Sequence, residues 1–351
     1  MNEILIKGDN LEIETDLRPA AGRERIHVPA GSSDPGRAIQ DAINEAWVVW
    51  QGAYSFFELD PNVSYPENRG DKEAWARSEG ATCPAVVLPP EFMRIARPIY
   101  LPACVPLLGA GVGNVFDGTK INFTGAGGLV VLGDMETIIG RALMHGATIS
   151  GIYFSGKADH LVKLNGSIDN LRITNCHFNA GTSKWSGNCI HGKPSFDGSN
   201  PFGTTITEGA HFKDIVIDRN QIEGGRFSIY LDHPHHCDIL NNKIYYSGVG
   251  IGLRKAERCF VSANRIEECK GYAGLAYVSS GLHLENNSVY GSPYGFWIEG
   301  AHDDRLGDHM GTFNGARSHK DLYTLANEKT MGLPIAAAGL EKGMSFISQA
   351  A

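Results

Sequence analysis

From Tyr230 to His236 the chain reads Tyr-Leu-Asp-His-Pro-His-His, so a phenol, a carboxylate and three imidazoles fall within seven residues. Imidazole exchanges protons near neutral pH, phenol donates one, and a carboxylate beside an imidazole orients it. Lys193 lies upstream, and Arg254 and Lys255 lie downstream. Cations of this kind would neutralise an anionic substrate. Together the groups suit removal of a weakly acidic proton next to a carboxylate, which needs a cation, a base and an acid. His233 or His235 would be the base, Tyr230 the acid, Lys193 and Arg254 the neutralising cations, and Asp232 the group that orients a histidine. All of this requires that the backbone bring residues 193, 230 and 254 together.

A repeat supplies the means. Five segments share one frame: Leu171–Phe178, Ile215–Ile222, Cys237–Ile244, Cys259–Ile266 and Leu282–Val289, with a weaker copy at Ala147–Phe154. The first, third and eighth places are apolar. Alternation followed by a change of phase implies a half-buried strand and then a bend. The sixth place holds Asn220, Asn242, Asn264 and Asn287 at intervals of 22, 22 and 23 residues, after Cys176. Asn tolerates the left-handed backbone of a sharp turn, and its amide can bond to the Asn of the next coil. These features predict an all-β chain, a right-handed single-stranded parallel β-helix of about 22 residues per coil. Cys237 and Cys259 fall in a core column and should be buried and inert.

A second strand recurs after each ladder turn, and its frame places Ile190, Ile229, Ile251, Leu275 and Phe296 toward the core. The next place, facing out, holds His191, Tyr230, Gly252, Ala276 and Trp297. Two places further stand Lys193, Asp232, Arg254, Val278 and Glu299. With coils stacked about 4.8 Å apart, Lys193, Asp232 and Arg254 form a vertical row beside His191 and Tyr230. His191, Lys255, Tyr277, Trp297 and Glu299 would then contact substrate. The long insertion from Pro194 to Ala210 would wall this face.

The ends need covering. Ser33-Asp34-Pro35 reads as a helix start, and Ala38, Ile39, Ala42, Ile43, Ala46 and Trp47 form an apolar stripe. A capping helix is expected near 36–50, with 53–80 a long loop. Short first-coil strands follow in 84–90, 99–102 and 105–111. The chain divides into an N-terminal strand segment over 1–30, a β-helix domain over 31–310, and a C-terminal tail or cap over 311–351. In that tail Asp321–Glu328 is expected to be a short helix.

At Ala38-Ile-Gln-Asp-Ala-Ile43, Val86-Val-Leu-Pro-Pro90 and Leu107-Leu-Gly-Ala-Gly111 the chain resembles the pectate-lyase-like superfamily. The resemblance covers roughly 33–300 and implies the fold, on which lyases, hydrolases, epimerases and tailspikes are all built. Tyr230-Leu-Asp-His-Pro-His235 also resembles the Tyr-Gly-Phe-Asp-Pro-His motif of mannuronan C5-epimerases, which use a lysine from the preceding coil. That resemblance implies motif roles for Tyr230, Asp232 and His235 and the lysine role for Lys193. This sequence is one residue shorter between Tyr and Asp and carries an added His233. The expected activity is C5-proton abstraction on a uronic-acid polysaccharide, by a lyase or an epimerase. A glycoside hydrolase or a tailspike-like carbohydrate binder are the alternatives.

Composition sets further bounds. A formal charge of −8 disfavours nucleic acid. No apolar run reaches the roughly 18 residues of a membrane span. No signal peptide is visible, so the expected location is extracellular if a leader has been removed, and otherwise cytoplasmic or virion. Seven cysteines without a CxxC pair disfavour a zinc site or a disulfide framework. No cofactor is expected; calcium on Asp303, Asp304 and Asp308 remains an option. The partner is a polysaccharide, and a homo-oligomer is left open.

Overall fold

The computed structural model describes residues 25–59, 83–112, 118–133, 135–137, 140–142, 144–181, 187–194, 211–277, 280–292 and 294–299, with short strands between 305 and 332. Strands stack coil upon coil into sheets of eleven, ten, nine and four strands, parallel except for the last pair of the ten-stranded sheet, Met310–Phe313 with Arg317–Ser318. This is the right-handed parallel β-helix that the repeat predicts. Within one coil the chain passes through the first sheet (Arg172–Thr174), the second (His177–Asn179) and the third (Asn188–Lys193). It then crosses the short fourth sheet (Phe212–Lys213) and returns to the first at Val216–Asp218.

The eight-residue frame explains the corner between the first two sheets. Its first, third and eighth places point into the lumen: Leu171, Ile173 and Phe178 are buried, as are Cys237, Ile239 and Ile244 two coils on. Phe154 and Phe178 stack across coils with ring centroids 5.3 Å apart. All seven cysteines are buried free thiols, and burial pushes Cys176 and Cys189 up to about 12. Such thiols are poor nucleophiles at neutral pH.

The Asn ladder stands at that corner. The Asn220 Nδ2 donates to Asn242 Oδ1 at 3.0 Å, Asn242 Nδ2 to Asn264 Oδ1 at 3.0 Å, and Asn264 Nδ2 to Asn287 Oδ1 at 2.9 Å. Each Oδ1 also accepts the backbone N–H of the ladder residue before it, starting with Cys176. One expectation is corrected. The left-handed residue is not the ladder Asn but the residue before it: Asn175, Arg219, Asn241, Ala263 and Asn286 have φ of 53°, 54°, 55°, 56° and 53°. The side chain that bonds the ladder and the backbone that turns the corner are therefore separate devices.

The N-terminal helix spans Pro35–Leu59, longer than expected. Asp34 caps it by accepting the Arg37 N–H at 3.0 Å, and Pro35 takes the first helical position. Pro61 disfavours helix at the residue before it, which ends the element near Leu59. Ile39, Ile43 and Ala46 are wholly buried. Gln40 pairs with the outermost strand of the third sheet: its Nε2 donates to Tyr100 O at 3.1 Å, and its Oε1 accepts the Tyr100 N–H at 2.9 Å. That amide satisfies an edge that would otherwise be open. At the other end, Leu322–Leu325 is a strand paired with Phe296–Glu299 and not the expected helix. Its register continues the stack, with Leu322 opposite Phe296 and Tyr323 opposite Trp297. Of the N-terminal segment over 1–30, residues 1–24 lie outside the described residues, and Arg25–His27 forms a strand at the edge of the first sheet.

The third-sheet frame holds except in one coil. Gly274 pairs with both Ile251 and Phe296, so it occupies the core column assigned to Leu275. Leu275 stands in the outward column beside Trp297, and Tyr277, not Val278, stands between Arg254 and Glu299. The cause is steric: a Cβ on Gly274 would lie 2.4 Å from Phe296 Cδ1, so the Phe ring fills the space a side chain would take. Gly274→Ala should therefore cost about 1–3 kcal/mol through overpacking, read as a lowered denaturant midpoint with unchanged slope. An unchanged midpoint would contradict this register.

Candidate functional site

The third sheet carries the chemistry on its outer face. Its strands His160–Asn165, Asn188–Lys193, Phe227–Asp232 and Val249–Arg254 run in register, with His191 beside Tyr230 and Asp232 beside Arg254. Stacking of parallel strands about 4.8 Å apart thus brings together residues distant in sequence: the Arg254–Asp232 hydrogen bond spans 22 positions and the Phe227–Asn188 bond spans 39.

Three rings form a column. His160 and His191 stack with centroids 4.1 Å apart and planes 7° apart, and His191 and Tyr230 stack at 5.1 Å and 16°. Phe227 tilts against Tyr230 at 5.2 Å. Gly252 stands next in the Tyr230 column, and the Phe227 ring fills the space above it. Burial, and then the charge of Asp232, raise the Tyr230 phenol above its usual value; the charge of Arg254 and its bond to the phenol pull the other way. The phenol therefore stays protonated through neutral pH.

Asp232 is the anchor, with 4% of its surface exposed. Arg254 Nη1 donates to its Oδ2 at 3.0 Å. His233 Nδ1 lies 2.8 Å from its Oδ1, but at an angle that gives neither atom a directed hydrogen bond. Removing one partner from a buried charge costs several kcal/mol, so this pair is firmly held. Arg254 still exposes 46% of its side chain, which leaves the guanidinium able to meet a second anion.

The other expected residues are dispersed in part. Lys193 follows Gly192, the partner of Leu231, and so ends its strand next to Asp232; it is exposed and makes no ion pair among the described residues. His233 and Lys255 both take left-handed backbone, with φ of 56° and 51°. They turn the chain out of the third sheet. As a result His235 lies beyond the corner, in the fourth sheet, where Pro234–His235 pairs with Phe212–Lys213. There its Nδ1 is 3.1 Å from Glu257 Oε2 and its ring is 5.4 Å from that of His211. None of the contacts among the described residues joins His235 to Tyr230 or Asp232. Tyr277, Trp297 and Glu299 continue the third sheet at backbone positions beside Arg254 and Leu275. The insertion over 195–210 and the acidic residues Asp303, Asp304 and Asp308 lie outside the described residues.

His235 carries a pH dependence. Burial lowers its pKa first, and His211, His236 and His233 add to this, while Glu257 opposes it. The folded chain thus binds this proton less readily than the unfolded one. Stability from this group is present above the ordinary His value of about 6.5 and is lost as pH falls below it. His235→Gln should flatten the fall of Tm between about pH 6.5 and 5; an equally steep fall in the variant would contradict the assignment.

Residues missed in the sequence are His160, Asn188 and Phe227. Leu161-Val-Lys-Leu164 does repeat the pattern of Cys189-Ile-His-Gly192, but His160 and Asn188 are separated by 28 positions, off the period of the ladder.

Comparison with known proteins agrees with this architecture. A family model described as periplasmic copper-binding protein (NosD) matches residues 186–309. No curated protein matches the sequence. Among solved structures, the Agl-KA catalytic domain superposes with a TM-score of 0.52 at 13% identity over 85% of this chain and 50% of that one. DFA-IIIase from Arthrobacter chlorophenolicus A6, in complex with GF2, gives 0.54 at 14% identity over 85% and 72%. The chain thus spans half the length of the Agl-KA structure. These likenesses share one fold, and it is the fold of this chain: a right-handed parallel β-helix.

Proposed function

We propose that this chain acts on a uronic-acid-containing polysaccharide by removing the C5 proton, as a β-elimination lyase or a C5-epimerase. The observation that carries the reading is the half-exposed Arg254 guanidinium next to the protonated Tyr230 phenol, both set by buried Asp232. In this reading Arg254, assisted by Lys193, neutralises the substrate carboxylate and so acidifies C5–H. His233, the histidine that Asp232 touches, accepts the proton. His235, beyond the corner, supports the fold of that turn and contacts flanking sugars. In elimination the C5–H electron pair becomes the C4–C5 double bond, and the C4 oxygen leaves with the proton of Tyr230. In epimerisation Tyr230 returns a proton to the opposite face of C5. Tyr277, Trp297 and Glu299 continue the same sheet and would hold neighbouring sugar units, with Lys255 at the turn that leaves it.

The matching family description names copper. Among the described residues no three His, Cys, Asp or Glu side chains converge as metal donors. The described site therefore does not fit a copper centre, and no step here passes through a metal.

Incubation with a panel of uronic-acid polymers tests the reading. Ultraviolet absorbance of an unsaturated uronide is expected for a lyase, and a changed C5 configuration by proton NMR for an epimerase. New reducing ends without either signal would overturn it in favour of hydrolysis, and no change with any polymer in favour of binding alone.

A further inference from the structure

The ring column has a polar clamp at its base. Asn188 begins its strand and is 8% exposed. Its Oδ1 accepts the Phe227 backbone N–H at 3.0 Å. That bond decides which way the amide faces, because an amide turned over would set its NH2 against an N–H. The Nδ2 group must then point toward the histidines, where it lies 2.9 Å from His191 Nδ1 and 3.3 Å from His160 Nδ1. Nδ2 can only donate, so each Nδ1 must be an unprotonated acceptor. A neutral imidazole that accepts at Nδ1 carries its proton at Nε2. Stacking of His160 and Tyr230 on the two faces of His191 holds the ring in that orientation.

We propose that Asn188 is a positioning residue that fixes the tautomer of His191, so that His191 meets the sugar as a neutral Nε2–H donor and not as the base. Its partner on the substrate is an acceptor oxygen: a ring hydroxyl, a carboxylate or the bridging oxygen. The role in turnover rests on the uronic-acid reading above; the tautomer itself does not. With His191 occupied as a donor, proton abstraction falls to the histidine at the Asp232 corner.

Long-range proton–nitrogen NMR of labelled histidines tests this directly, with His191 identified by its loss in His191→Gln. At pH 7.5 the expected pattern is a protonated Nε2 and a pyridine-like Nδ1. In Asn188→Asp the Phe227 N–H keeps its acceptor, but the second carboxylate oxygen now faces Nδ1. His191 should then carry a proton at Nδ1, as the other tautomer or as imidazolium. Asn188→Leu, which removes the donor without adding an acceptor, should give a mixture of tautomers and serves if the Asp variant folds poorly. A wild-type His191 protonated at Nδ1, or a pattern identical in all three proteins, would overturn the proposal. On a polymer that the wild type turns over, Asn188→Asp should lower kcat about 10²-fold with KM little changed. A loss confined to KM would overturn the catalytic part, whereas failure of every polymer would overturn the functional reading and leave the NMR assignment standing.

Discussion

Tyr230→Phe is expected to lower kcat/KM by about 10²–10⁴-fold, the usual worth of a positioned acid or base. The substitution deletes one oxygen and keeps the ring. The stack on His191 at 5.1 Å and the contact with Phe227 at 5.2 Å should therefore persist. The phenol is raised by burial and by Asp232, so at neutral pH the wild type presents O–H and not phenolate. Loss of that proton should fall mainly on kcat, because the sugar still stacks and Arg254 still meets its carboxylate. Asp232→Asn should act differently. It removes the charge that holds Arg254 at 3.0 Å, and so should raise KM as well. A Tyr230→Phe protein with wild-type kcat/KM on a responsive polymer would remove Tyr230 from the reaction.

Asn242→Ala should be the most damaging single change to the fold. Asn242 is fully buried. Its Oδ1 accepts both the Asn220 backbone N–H and Asn220 Nδ2 at 3.0 Å, and its own Nδ2 donates to Asn264 Oδ1 and to Ile217 O. Alanine leaves the Asn220 backbone N–H and one of its two Nδ2 hydrogens without an acceptor, while the other stays on Ile173 O. At about 1–3 kcal/mol for each unsatisfied group, the cost is on the order of 2–6 kcal/mol. That is a large part of the roughly 5–15 kcal/mol by which domains are stable. Chemical denaturation should show the midpoint collapse in Asn242→Ala. Lys243→Ala, at an exposed neighbouring position, should stay within about 0.5 kcal/mol of wild type. Equal midpoints for the two variants would mean that the ladder does not hold the coils together.

The ladder is legible because residue type and spacing coincide: an amide can both donate and accept across coils, and four Asn recur at intervals of 22, 22 and 23 residues. The left-handed place beside it is not, because Asn, Arg and Ala all occupy it. At Arg219 and Ala263 the stacked coils impose a backbone that the residue itself does not favour. The row Asp232–Arg254 and the pair His191–Tyr230 followed from strand alternation. The frame slipped only where Gly274 took a core column, since a glycine has no polarity to reveal its facing. The fourth sheet was invisible for a similar reason: its strand Pro234–His235 has two residues, too few for a period, and the His233 turn that creates it depends on backbone. Asn188 acts through one backbone contact and two ring nitrogens, none of which leaves a mark in spacing.

Removal of the C5 proton is read most directly by the kinetic isotope effect with a polymer deuterated at C5, under saturating substrate. Both elimination and epimerisation break the C5–H bond, so the deuterated polymer should turn over more slowly, with an effect that grows in Tyr230→Phe if donation and abstraction are concerted. Equal rates for the two polymers, with products formed by hydrolysis of the glycosidic bond, would contradict it.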